Sequence, residues 1–162
     1  MRKIKIWRKA FVLFSVIVFF PAIMAGSAIA ALNIPKILYV DSEEGFGMYE
    51  QAPSHRFLKG QKTMAYLEIT GFTLQEEGDH YLLDLSMDLA VEDTEGNLLG
   101  TQKDIIQFQR NVKSRLHDVY FKVSFDFSLW DPGKYRLFFQ VMDHLGGSFS
   151  KAELPLEIIP EE

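Results

Sequence analysis

After residue 30 the chain alternates apolar and polar residues with a period of two, as strands with one buried and one wetted face do. The clearest run is 80–92. There Tyr81, Leu83, Leu85, Met87, Leu89 and Val91 face one way, and Leu82, Asp84, Ser86, Asp88, Ala90 and Glu92 the other. Run 119–129 sets Val119, Phe121, Val123, Phe125, Phe127 and Leu129 against Tyr120, Lys122, Ser124, Asp126 and Ser128. Run 135–143 points Tyr135, Leu137, Phe139 and Val141 inward and Arg136, Phe138, Gln140 and Met142 outward. In 148–158 the inward set is Ala152, Leu154, Leu156 and Ile158; in 62–72 it is Ala65, Leu67 and Ile69. Weaker patterns predict strands at 45–51, 97–101 and 105–109.

Turn-forming stretches separate these runs: Lys59-Gly60-Gln61, Glu76-Glu77-Gly78-Asp79, Thr94-Glu95-Gly96-Asn97, Asp131-Pro132-Gly133 and Gly146-Gly147. Seven or eight strands joined by short turns predict an all-β antiparallel β-sandwich, with a closed barrel as the alternative. Residues 31–44 read as a lead-in, 45–159 as the sandwich, and Pro160, Glu161 and Glu162 as a solvated tail.

Residues 1–30 break the pattern and read as a signal-peptide helix. Arg2, Lys3, Lys5, Arg8 and Lys9 form a basic start, an apolar run follows over 10–25, and the segment ends in Ala28-Ile29-Ala30. Small residues at 28 and 30 fit the peptidase pockets and place cleavage between Ala30 and Ala31. An uncleaved anchor fits less well: the apolar run is short of the ~20 residues that span a bilayer, and Pro21 interrupts it.

Cleavage changes the charge. The 162 residues hold 17 basic and 22 acidic side chains, net −5; losing five basic residues and no acidic one leaves −10. So acidic a chain is a poor ligand for nucleic acid or anionic lipid. The absence of cysteine excludes disulfides, cysteine nucleophiles and cysteine-ligated zinc.

The stretch Leu129-Trp130-Asp131-Pro132-Gly133-Lys134-Tyr135-Arg136-Leu137, followed by Val141-Met142-Asp143 and by 152–158, resembles the last strands of immunoglobulin-like and fibronectin-type-III-like modules of exported bacterial proteins. In those modules a Pro-Gly turn precedes a Tyr whose hydroxyl bonds back to the backbone, and Tyr135 occupies that place. Phe57-x-x-Gly60 before the 62–72 strand resembles their early strands. The resemblance implies an immunoglobulin-like sandwich. It implies no chemistry, because this fold hosts many functions.

Local signals for catalysis are missing. His55, His80, His117 and His144 have no partner at ligand spacing and read as exposed loop residues. No nucleophile-elbow motif occurs. Asp84 and Asp88 share a strand face but stand ~13 Å apart at strand rise, too far to act as one pair. Asp93-Thr94-Glu95-Gly96-Asn97 imitates the start of a calcium loop, yet Asp104 stands where the bidentate glutamate belongs, and a hairpin turn explains the stretch. No cofactor or metal is expected.

What remains is an aromatic surface. Tyr66, Tyr120, Phe138 and Met142 fall on the outward faces of their strands. In an immunoglobulin-like arrangement Tyr66 lies near Tyr120, while Phe138 and Met142 lie beside Asp84, Ser86 and Asp88. These four residues form the expected partner surface, unless loops or the lead-in cover them. The expected function is a non-catalytic binding or structural module in the periplasm or cell envelope, recognising a protein or envelope component. A small carbohydrate-active or hydrolase-like domain with a loop-built site is one alternative; an accessory subunit in secretion or envelope assembly is the other.

Overall fold

A computed structural model describes residues 31–161, and the structural statements below concern those residues; the expected leader, residues 1–30, lies outside them. Ten strands form: β1 Asn33–Gly45, β2 Met48–Gln51, β3 Arg56–Leu58, β4 Lys62–Thr70, β5 Gln75–Glu77, β6 His80–Asp93, β7 Leu98–Val112, β8 Asp118–Asp126, β9 Gly133–Asp143 and β10 Ser148–Ile159. They make two sheets. The first runs β2-β1-β4-β8; the second runs β3-β10-β9-β6, with β7 on the far edge of β6. The short β5 pairs with the first residues of β6. All pairs are antiparallel except β3–β10.

Counting the seven long strands in chain order, the first, second and fifth share one sheet and the third, fourth, sixth and seventh the other. This is the strand order of an immunoglobulin-like sandwich. The alternating residues explain it. Leu83, Leu85, Met87 and Leu89 of β6, Leu137, Phe139 and Val141 of β9, and Leu154, Leu156 and Ile158 of β10 are buried. They pack in one cluster with Ala65, Leu67 and Ile69 of β4 and Val119, Phe121 and Phe125 of β8. At one end the core becomes a chain of aromatic contacts, Tyr39–Phe57, Phe57–Phe127, Phe127–Trp130 and Trp130–Tyr135, with centroids 4.9 to 5.6 Å apart.

Three expectations are corrected. The lead-in is not outside the sandwich: β1 lies between β2 and β4 in the first sheet. Its run Ile37-Leu38-Tyr39-Val40 does not alternate because both faces of the strand are covered, and such strands read as continuous apolar runs. The weak strands at 97–101 and 105–109 are one strand, β7, interrupted by a bulge opposite Asp88, where Asp104 takes φ 52° and its N–H donates to Asp88 Oδ1 at 2.8 Å. The 119–129 run ends at Asp126. Its carboxylate accepts the Ser128 N–H at 3.0 Å and caps a short 3₁₀ turn, Phe127–Leu129. The turn breaks the alternation, so Phe127 is buried while Leu129, expected inward, is 96% exposed.

Candidate functional site

The two aromatic pairs meet different fates. Register shifts at Val40/Ser42 and Glu43/Gly45 mark bulges in β1, and bulges bend a strand. Past the first of these shifts the end of β1 and all of β2 form a hairpin that folds over the outer face of the first sheet. Tyr49 packs on Tyr66 with centroids 4.7 Å apart, and the Gly47 N–H donates to the Tyr66 hydroxyl at 2.8 Å. Glu43, its side chain only 3% exposed, takes a 2.6 Å hydrogen bond from Lys122 Nζ of β8. The Lys122 ammonium, with a hydrogen bond from Tyr120, holds the Glu43 carboxyl below its ordinary range; Glu43 in turn raises Lys122.

Tyr66 is therefore 0% exposed and is not partner surface. The hairpin roofs it, and the strand's outward parity says nothing about a roof. Burial pushes its hydroxyl pKa up. Tyr66 and Tyr120 do come together, stacked with centroids 5.5 Å apart. Tyr120 stays half-buried at the sheet edge.

Among the described residues no such roof lies over the outer face of the second sheet. β9 lies between β6 and β10, so its outward residues stand in rows across the sheet. Met142 faces Ser86 on one side and Phe149 on the other; Gln140 faces Asp88 and Lys151; Phe138 faces Ala90 and Glu153. Met142 thus sits beside Ser86 as expected, while Phe138 lies opposite Ala90, one row past Asp88. Both are half-buried. The Arg136 guanidinium lies 5.3 Å from the Phe138 ring, and Arg136 also pairs with Glu92 at 2.9 Å. A shallow groove of about 370 Å³ runs between Phe138, Gln140, Lys151, Asp88, Ala90 and Thr101.

Phe149 is the residue the sequence reading passed over. It is 63% exposed, neighbours Met142, and has Lys151 Nζ 5.7 Å from its ring. Parity had placed it: with Ala152 and Leu154 inward, 149 and 151 must point outward.

Three polar residues, Tyr135, Asp143 and Asp93, serve the fold. Tyr135 makes a corner, its hydroxyl donating to the Asp131 carbonyl at 2.8 Å and its ring edge-on to Trp130. Asp143 is buried and accepts N–H bonds from Thr73, Leu145 and Gly146 at 2.8 to 3.1 Å, tying two loops together. Asp93 accepts from the Glu95 and Asn97 amides and the Asn97 side chain, the hydrogen bonding of a hairpin turn. His144 Nε2 sits 2.8 Å from Ser86 Oγ, the separation of a nucleophile and its base. Among the described residues no carboxylate hydrogen-bonds the second ring nitrogen to orient that base, and no three His, Asp or Glu converge as metal ligands.

No protein-family model matches the sequence, and no curated protein matches it. Among solved structures the chain is similar to an immunoglobulin-like protein from Pseudomonas aeruginosa, with 18% identity and a TM-score of 0.40, over 82% of this chain and 99% of that one. The strand order, and not this likeness, makes the sandwich immunoglobulin-like.

Proposed function

We propose that the protein is a non-catalytic binding module of the bacterial envelope that docks a protein partner on the outer face of its second sheet. The observation that carries this reading is the contrast between the two sheets. The chain's own hairpin covers the Tyr66 centre of one outer face; the other, among the described residues, leaves Phe149 and Met142 side by side in one row and Phe138 two rows on, past Gln140, with no hairpin over them. Aromatic residues bring large contact area at small entropic cost and dominate binding energy where they are central to an interface. Around them Arg136, Lys151, Glu153 and Asp88 form a rim of both signs, which suits a protein surface with its own mixed charges. The strongly acidic mature chain disfavours nucleic acid and anionic lipid. The basic, apolar, small-residue leader supports export.

The test is comparative capture from envelope extracts with wild-type protein, Phe149→Ala and Phe138→Ala. Both variants should keep the wild-type unfolding free energy within about 1 kcal/mol, since neither ring is in the core. The partner band should fall at least tenfold for Phe149→Ala. Equal capture by wild type and both variants refutes this face.

A further inference from the structure

The geometry points to a second interface, between two copies of this chain, formed by antiparallel pairing of β8 edges centred on Tyr120. Among the described residues β8 ends the first sheet and pairs only with β4, through nine consecutive partners without a register shift. A regular, unpaired edge is a template for another strand. The other long free edge, β7, is not equivalent: the bulge at Asp104 interrupts it, a device that blocks such pairing. Beside β8 the two sheets fail to close. An apolar groove of about 520 Å³ runs there, lined by Val119 and Phe121 of β8, Ile106 and Phe108 of β7, Leu116, and Phe46 of the hairpin tip. Phe108 and Phe121 meet across it with centroids 5.6 Å apart.

The charges of β8 and the groove beside it together favour a second copy and fix its register. Opposed residues of an antiparallel pair share a face, so inward Val119 and Phe121 must oppose inward residues of the incoming strand. Two copies satisfy this only when the symmetry axis passes through a residue. An axis at Lys122 sets Lys122 against Lys122 and Asp118 against Asp126; an axis at Ser124 sets Lys122 against Asp126, whose carboxylate already caps the 3₁₀ turn and pairs with Lys62. An axis at Tyr120 sets Asp118 against Lys122 twice, Val119 against Phe121 twice, and Tyr120 against its own copy. That register also lies over the apolar groove. Asp118 is exposed and makes no ion pair among the described residues. Lys122 keeps Glu43 on its hairpin side. The interface is isologous: one strand supplies both halves of each contact. It leaves the outer face of the second sheet free, so a dimer presents two docking faces.

The chain has no cysteine, which makes the axis directly testable. The purified protein is examined by sedimentation equilibrium, and single-cysteine variants Tyr120→Cys and Ser124→Cys are oxidised mildly. Opposed strand residues have Cβ atoms about 4.5–5.5 Å apart, within reach of a disulfide, so Tyr120→Cys should form a covalent dimer. Ser124→Cys, whose own copy is far from it in this register, should cross-link at least tenfold more slowly. Asp118→Lys places like charges opposite one another twice and should weaken the dimer about tenfold, converting the size of cross-strand pair energies. A protein that stays monomeric to about 100 μM overturns the proposal. So does a dimer in which Ser124→Cys cross-links as fast as Tyr120→Cys, or one that Asp118→Lys leaves unchanged.

Discussion

Replacing Tyr66 with Phe removes one oxygen from beneath the hairpin and leaves the ring stacks with Tyr49 and Tyr120 in place. The hydroxyl accepts the Gly47 N–H at 2.8 Å and lies 3.4 Å from Glu68 Oε1, a weak contact. Glu68 keeps Lys36 at 3.5 Å, so the main loss is the Gly47 bond. Gly47 is exposed at the hairpin tip, and water replaces the lost acceptor. The cost is therefore that of an ordinary hydrogen bond, about 0.5–1.5 kcal/mol, and not that of an orphaned buried donor. That corresponds to a two- to tenfold rise, roughly, in the population of the open hairpin. Native-state hydrogen exchange reads it. In wild type the amides of 41–51 should be less protected than those of β6 and β9. The bond is broken both when the hairpin lifts and when the whole chain unfolds. Protection should therefore fall by the same factor in the hairpin and in β6 and β9. If β6 and β9 lose protection while 41–51 keep theirs, the hairpin opens without breaking this bond and the reasoning fails. If nothing changes, the bond does not hold the roof.

Tyr135→Phe should lower stability by about 1 kcal/mol, the cost of an ordinary lost bond with no orphaned acceptor, because Asp131 sits in an exposed turn; a thermal midpoint about 3–6 °C lower checks it, and an unchanged midpoint removes the corner from the stability account. The hairpin should loosen in acid. The Glu43 carboxyl sits below its ordinary range when folded, so its contribution is present above roughly pH 4.5 and is lost as pH falls through the folded value. Exchange protection at 41–51, corrected for intrinsic rates, should drop below that pH in wild type and show a flatter profile in Glu43→Gln. N-terminal sequencing of exported material should begin at Ala31; intact residues 1–30 in a membrane fraction would indicate an anchor instead.

How much of this was legible follows from which faces are wet. β6, β8, β9 and β10 alternate in the sequence because one side of each meets the core and the other meets water. The order of sheets followed from them, including the meeting of Tyr66 with Tyr120. β1 was illegible because its second covered face erased the alternation that marks a strand. Tyr66 was misjudged for the same tertiary reason: parity gives a direction, and what lies in that direction depends on residues 41–51. Leu129 failed through a local cause, the Asp126 cap that turns the strand into a 3₁₀ turn two residues early. Phe149 was within reach of parity alone. The unpaired state of β8 was not, because edge and centre strands share one pattern when a sandwich covers only one of their faces.

Trp130 closes the aromatic chain at the Tyr135 corner, edge-on to both Phe127 and Tyr135. The chain has two tryptophans, Trp7 and Trp130, and a product starting at Ala31 keeps only the second. Cleavage before Ala31 would thus turn a two-emitter chain into a single-emitter one, with its fluorophore built into the turn between β8 and β9. Its emission then reports one place, the junction where the last strand of one sheet hands the chain to the other. Loosening of that junction becomes visible as a red shift without any label, while events at the far outer faces leave the spectrum still.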